Sequence, residues 1–148
     1  MFPEEQAGAL RKHLGRAAFQ FKAELENRFQ SGGYAITAPQ WALLHAVRIH
    51  QGAAQKELAR RTFKDKTNVA RILASLEDME LISRRRDEQD QRYYRVFLTP
   101  QGRQAEKELR RIAHQTLSDA LRGIPQNHLE STMRTLEQIH RNLEQSSL

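Results

Sequence analysis

Apolar residues in this chain recur at two different periods, and the change falls near residue 81. Before it the spacing is three and four. Leu10, Leu14, Ala17, Phe21, Leu25 and Phe29 mark one stripe and predict a helix over 4–30. Ser31-Gly32-Gly33 ends it, because glycine takes the left-handed C-terminal conformation without strain. Thr37-Ala38-Pro39 starts a second helix, with Thr37 as cap and proline in the first turn, and Trp41, Leu44 and Val47 carry it toward Gln51-Gly52. A short third helix over 53–61 centres on Leu58. A turn around Thr62-Phe63-Lys64 then leads to a fourth helix over 66–79, capped by Asp65, with Val69, Ile72, Leu73 and Leu76 on its apolar face.

From Leu81 the residues become β-branched and aromatic. Leu81-Ile82-Ser83-Arg84 and Tyr94-Arg95-Val96-Phe97-Leu98 read as two strands, and the polar stretch 85–92 between them reads as a turn, which makes a hairpin. Thr99-Pro100 opens a long helix carrying Leu109, Ile112, Leu117 and Leu121. Gly123-Ile124-Pro125 breaks it, and a last helix from Gln126 carries Leu129, Met133, Leu136, Ile139 and Leu143. The predicted class is mainly α with a small β-hairpin wing (α+β): a winged helix-turn-helix with dimerisation helices at both ends. The expected organisation is one domain over 1–148, with a DNA-binding lobe at 36–100 and a helical dimerisation region at 1–30 and 101–148. The terminal stripes lie far along the sequence from the central motif. A helix that buries no stripe is marginal in water, so the economical expectation is that these helices interdigitate in a symmetric homodimer.

Charge sharpens this picture. Residues 56–71 hold six Lys/Arg against two acids, and residues 84–95 hold five Arg against three, so these two segments match the net charge of +6 of the whole chain. A basic middle between near-neutral ends marks a binding face. The chain has no cysteine, which excludes disulfides and thiolate metal sites. It has no apolar run of about 18 residues, and its first residues lack the apolar core of a signal peptide, so a cytoplasmic protein that meets no membrane is expected. The six histidines, at 13, 45, 50, 114, 128 and 140, form no metal motif. Nothing in the order of nucleophiles, bases and glycines suggests an enzyme or a cofactor, so neither, and no metal, is expected.

The chemistry lies in two places. Lys66, Thr67, Asn68 and Arg71 share the polar side of the fourth helix near its start. Residues there reach base edges in a major groove, where Asn pairs bidentately with adenine and Arg with guanine. Arg60, Lys64 and Lys66 suit backbone phosphates. The hairpin carries Arg84, Arg85 and Arg86 on one arm, Arg92 beyond its tip and Arg95 on the other arm. Inserted arginine is attracted by the potential of a narrow minor groove, and Asp87 and Asp90 are the candidates for aiming it. The rival reading is a winged-helix protein-docking module, without sequence-specific DNA binding, whose basic face meets an acidic partner.

These residues carry a resemblance. Thr37-Ala38-Pro39-Gln40-Trp41, Lys66-Thr67-Asn68-Val69-Ala70-Arg71 and Leu76-Glu77-Asp78-Met79-Glu80-Leu81-Ile82 resemble segments of the multiple antibiotic resistance regulator (MarR) family. So do Asp87, Asp90 and Arg92, followed by Val96-Phe97-Leu98-Thr99-Pro100-Gln101-Gly102. The resemblance implies a homodimer with intertwined terminal helices, recognition helices in two major grooves of a pseudo-palindromic duplex, and Arg92 in the flanking minor groove. It also implies a transcriptional repressor released by a small, often aromatic or anionic, effector. A ligand cleft is expected where the first, second and fifth helices meet the reading lobe, with Arg16, Phe21, Trp41 and His45 as candidate lining. Two departures stand out: Glu80 where the family usually has glycine, and Gln91 where it has a second wing-tip arginine.

Overall fold

The structure is a computed structural model that describes residues 2–62 and 65–147. The elements run α1 (Glu4–Ser31), α2 (Ala38–Ile49), β1 (Ala53–Ala54), α3 (Gln55–Arg61), α4 (Lys66–Asp78), β2 (Ile82–Arg86), β3 (Tyr94–Leu98), α5 (Pro100–Ala120) and α6 (Gln126–Ser146). The chain divides into two compact units, residues 1–116 and 117–148. The fold class expected from the sequence is the one found.

Local chemistry sets the helix starts. At α2 a reciprocal cap forms: Gln40 N donates to Thr37 Oγ1 at 3.3 Å, and Thr37 N donates to Gln40 Oε1 at 2.9 Å. At α4 the Asp65 carboxylate accepts from Asn68 N at 2.7 Å. At α5 Thr99 Oγ1 accepts from Gly102 N at 2.9 Å. The core of the first unit is then closed by Phe29 of α1, Leu43, Leu44 and Val47 of α2, Leu58 of α3, Val69, Leu73 and Leu76 of α4, Val96 of β3 and Leu109 of α5, all fully buried. The four apolar positions expected on α4 are its four buried residues.

The sheet corrects the sequence reading in two places. Ala53 and Ala54 do not open a helix; they form β1, antiparallel to β3 with Ala53 opposite Val96, and the sheet order is β1-β3-β2. Gly52 turns the chain at φ 79° and donates its N–H to Val96 O at 2.9 Å. Alanine favours helix, but the free edge of β3 offers hydrogen bonds that a marginal preference cannot outweigh. The second difference is β2, which runs on to Arg86 because Arg85 and Arg86 pair with Arg95 and Tyr94 across the hairpin.

Two details fix the base of the hairpin. Glu80 takes φ 61°, the one non-glycine residue at positive φ among the described residues. Leu81 N donates to Leu76 O at 3.0 Å and Glu80 N to Glu77 O at 2.9 Å, the paired bonds that close a helix over a left-handed residue. Thr99 Oγ1 holds the Glu80 carbonyl at 2.6 Å. The chain thus accepts left-handed strain at Glu80 and keeps the usual helix ending. Close by, α5 begins flush against the Leu81 peptide: a Cβ at Gly102 would lie 1.8 Å from Leu81 O.

Of the α1 stripe only Leu25 and Phe29 are buried; Leu10, Leu14, Ala17 and Phe21 are exposed. In the second unit Gly123 turns the chain at φ 78° before α6, which buries no residue, and Met133 (60%) and Leu143 (63%) are largely exposed.

Candidate nucleic-acid interface

The start of α4 presents Lys66, Thr67 and Arg71 to solvent, with Asn68 half-buried beside them and Val69, Ile72, Leu73 and Leu76 turned to the core. Arg71 Nη2 donates to Asn68 Oδ1 at 2.6 Å, so the two side chains expected to meet bases hold each other. Behind them Gln40 Nε2 donates to Ser75 Oγ at 3.0 Å and braces α4 on α2. Arg60 is exposed on α3, with Nη2 3.3 Å from Glu57 Oε1. Arg61 also donates to Glu57, and its hydrogen bond leads the causes that hold that carboxyl below its ordinary range. Lys64 lies outside the described residues.

The wing is organised by its carboxylates. Arg92 grips Asp90 with two parallel bonds, Nε to Oδ1 at 3.0 Å and Nη2 to Oδ2 at 2.8 Å, while its side chain stays 82% exposed. That is a short fork-to-fork pair which aims a guanidinium outward. The Arg92 side-chain bond, seconded by the Arg92 N–H, lowers the Asp90 carboxyl below its usual range. Asp87 does something else. Its carboxylate accepts from Gln89 N at 2.8 Å and Asp90 N at 3.1 Å, and from Arg95 Nε at 2.7 Å. It shapes the tip backbone and braces β3, and the Gln89 N–H leads the causes that lower its carboxyl. Arg86 donates to Gln91 O at 3.1 Å and lies 5.4 Å from the Tyr94 ring centroid. Arg84 turns back to Glu77, with Nη2 3.0 Å from Oε1, and is the least exposed of the paired wing arginines. At Gln91, the other departure, the backbone carbonyl receives the Arg86 bond.

The candidate ligand residues are only partly gathered. Trp41 meets Phe29 edge-on at 6.0 Å between centroids and His45 at 5.0 Å. Arg16 and Phe21 are exposed on α1, roughly 20 Å and 12 Å along the helix axis before Phe29. The sequence reading missed the group that engages His45. Glu106 of α5, 1% exposed, faces His45 Nδ1 at 3.0 Å, Arg48 Nε at 2.9 Å and Arg110 Nε at 3.6 Å. The signal was present: Glu106 interrupts the buried face formed by Gly102, Ala105, Leu109 and Ile112, and a carboxylate in that position must find partners. Lys56, Tyr93 and Tyr94 were also missed, although Lys56 opens the basic segment and both tyrosines directly follow Arg92 in sequence.

Comparison with known proteins places this geometry. The family model described as MarR family matches residues 36–92. A probable transcriptional regulator from Pseudomonas aeruginosa is 28% identical, over 85% of this chain and 92% of its own, with a TM-score of 0.75. The transcriptional repressor CouR, solved bound to a 23-mer DNA duplex, is 20% identical over 95% of this chain and 98% of its own, with a TM-score of 0.81. The PcaV transcriptional regulator from Streptomyces coelicolor, solved in complex with its natural ligand, is likewise 20% identical over 95% and 98%, with a TM-score of 0.78. The last two likenesses are likenesses of fold.

Proposed function

We propose that this chain, whose residues 36–92 match the MarR family model, is a MarR-type homodimeric repressor that grips a pseudo-palindromic operator and releases it when a small effector binds. It is a DNA-binding transcriptional regulator, not an enzyme. The observation that carries the reading is one of placement: Lys66, first residue of α4, and Arg92, at the wing tip, line the same cleft. A helix end and a ribbon tip therefore share one cationic face, as a duplex with two grooves and a charged backbone requires. We assign Lys66, Lys64 and Arg60 to phosphates, Thr67, Asn68 and Arg71 to base edges, and Arg92 to the minor groove. Arg84 and Arg86 support the wing, the first through Glu77 and the second through Gln91 O. Asp90 aims Arg92, and Asp87 holds the tip on which both stand.

The homodimer rests on unburied stripes. Leu10, Leu14 and Phe21 in one unit, and Met133, Leu136 and Leu143 in the other, are each more than a third exposed in the single chain. A second copy is the economical cover for such faces, and 1–30 with 101–148 would form the clasp around reading lobes at 36–100. Two half-sites on one face of B-DNA lie about 34 Å apart, so a small hinge between clasp and lobes suffices to prevent simultaneous docking. CouR, a repressor on DNA, and PcaV, a regulator with its ligand, lend this mechanism its pattern. The effector is proposed as small and aromatic or anionic, received near Trp41 and His45 with Arg16 and Phe21 on the approach. No helix among the described residues is long and apolar enough to cross a membrane, and a cytoplasmic site of action fits a regulator of genes.

Fluorescence anisotropy on duplexes selected from a random pool tests the reading. Arg92→Ala should weaken every duplex and lower the salt slope by about one per subunit, whereas Asn68→Ala should mainly relax sequence preference. An unchanged affinity and slope for Arg92→Ala would reject the wing's role. Wild-type protein that binds no duplex at low salt yet retains an acidic protein would establish the docking module instead.

A further inference from the structure

The cleft that joins α3, α4 and the wing has a chemistry of its own. It measures about 210 Å³ and is lined by Gln55, Lys56, Lys66, Arg92, Tyr93 and Tyr94. Three cations face it, of which Arg92 is already paired with Asp90 outside the lining, and no carboxylate lines it. Elsewhere on the reading lobe the arginines are largely spoken for: Arg60 and Arg61 by Glu57, Arg84 by Glu77, and Arg95 by Asp87. Lys56 and Lys66 have no carboxylate partner among the described residues, so their charge is free for a ligand. The walls are preset. Lys56 Nζ lies 5.2 Å and Arg92 Cζ 5.8 Å from the Tyr93 ring centroid. Arg84 and Arg86 lie 5.6 Å and 5.4 Å from that of Tyr94. A ring leaves intact the charge of a cation packed on it, since a quadrupole carries no net charge. Lys56 is thus held at Tyr93 without being neutralised, whereas Arg84 and Arg92 are also paired with Glu77 and Asp90. The phenol hydroxyls and the Gln55 amide add neutral donors, which suit an oxyanion with several acceptor oxygens.

From this we propose that the cleft is a phosphate clamp: it seats one backbone phosphate of the bound duplex between Lys56, Lys66 and Tyr93, and so fixes how deeply α4 and the wing enter their grooves together. The inference rests on the duplex-binding function above and deepens it. A backbone phosphate is preferred to a free anion because the cleft lies between the element proposed for the major groove and the one proposed for the minor groove, where the strand linking the two must pass. Lys56 and Tyr93 become positioning residues that contact no base. Their loss should therefore affect all sequences alike.

The test uses the full-length protein and a selected operator carrying a neutral methylphosphonate at one backbone position at a time, read by anisotropy. One position per half-site should cost the wild type about eightfold at 0.1 M salt, the loss of one counterion-releasing contact. The same substitution should cost Lys56→Ala clearly less than it costs the wild type, because only Lys66 and Tyr93 then hold that phosphate. On unmodified duplex Lys56→Ala should lose roughly 60-fold, because both subunits lose the contact, with the salt slope lower by about two. Tyr93→Phe should show a smaller uniform loss, and Lys56→Arg should recover most of the affinity. Lys56 is exposed, and an unchanged circular dichroism spectrum confirms that the variants fold. If Lys56→Ala binds with wild-type affinity and slope, the clamp is wrong while the reading head stands. If millimolar inorganic phosphate, at matched ionic strength, displaces duplex from the wild type but not from Lys56→Ala, the cleft is a site for free phosphate and the backbone assignment falls. If the wild type binds no duplex at low salt, the underlying function fails with it.

Discussion

Replacing Gly102 with alanine adds one methyl group at the point where the long helix leaves the sheet. By propensity alone it should help, since alanine is better than glycine inside a helix by about 1 kcal/mol. Position decides otherwise. The new Cβ would sit 1.8 Å from Leu81 O and 2.8 Å from Leu81 C, both backbone atoms that cannot swing away. Ordinary contact requires a separation of more than about 3 Å, so α5 and the Leu81 peptide must part by more than an ångström. Two hydrogen bonds cross that gap: Thr99 N to Leu81 O at 3.1 Å and Thr99 Oγ1 to Glu80 O at 2.6 Å. Overpacking costs about 1–3 kcal/mol and each weakened bond about 1 kcal/mol, so the net loss after the propensity gain is about 2–4 kcal/mol. At roughly 3 °C per kcal/mol for a chain of this size, Tm should fall by about 6–12 °C. Gly8→Ala is the control, because a Cβ there meets nothing within 4 Å; it should be neutral or stabilising by up to about 1 kcal/mol. Thermal unfolding followed by circular dichroism, at one fixed protein concentration, reads both. A Gly102→Ala protein that melts at or above the wild type would refute the close approach of α5 to Leu81, and with it the account of how the wing is anchored.

Glu80→Gly removes the left-handed penalty at φ 61°, worth about 1–2 kcal/mol, and restores part of it as unfolded-chain entropy, so urea unfolding should show a gain of a few tenths to about 1 kcal/mol; a loss would mean that the Glu80 side chain contributes something the backbone does not reveal. Asp87 and Asp90 are both depressed, by the backbone N–H of Gln89 and by the Arg92 side chain respectively. A carboxyl depressed on folding stabilises fully above its unfolded value and loses that contribution as pH falls through its folded value. The wing should therefore keep its order when pH first enters the ordinary aspartate range and loosen only below it, which the Arg92 Nε–H resonance would follow; loosening at the unperturbed aspartate pKa would contradict the pairing.

Much of the reading lobe was legible because its determinants are local. Asp65 caps α4 three residues away, Thr37 and Gln40 cap α2 across three, and Arg92 finds Asp90 across two. What escaped depends on distant partners. Ala53-Ala54 is a strand only because β3, far along the sequence, offers an edge on which Ala53 pairs with Val96 and Ala54 with Arg95. The far end of β2 is set by Arg95 and Tyr94 across the hairpin, not by Arg85 and Arg86 themselves. Glu106 draws His45 and Arg48 from α2, 61 and 58 positions away, and no spacing rule reaches that far. Asp87 was legible as a positioning carboxylate, but not that it serves Arg95 and the tip backbone while Asp90 alone holds Arg92. The stripes of α1 and α6 were read correctly as periodic, yet most of their residues stay exposed in one chain, because what covers an amphipathic helix need not belong to the same molecule.

The most direct measurement is the mass, by sedimentation equilibrium, of the complex with a selected operator, repeated after inserting five and then ten base pairs between its half-sites. Two chains per duplex are expected. Half a helical turn of extra spacing should reduce binding to that of an isolated half-site, and a full turn should restore the facing of the two sites without their separation, so affinity should stay weak. One chain per duplex, or an affinity indifferent to the insertion, would contradict a pair of reading heads held at fixed pitch.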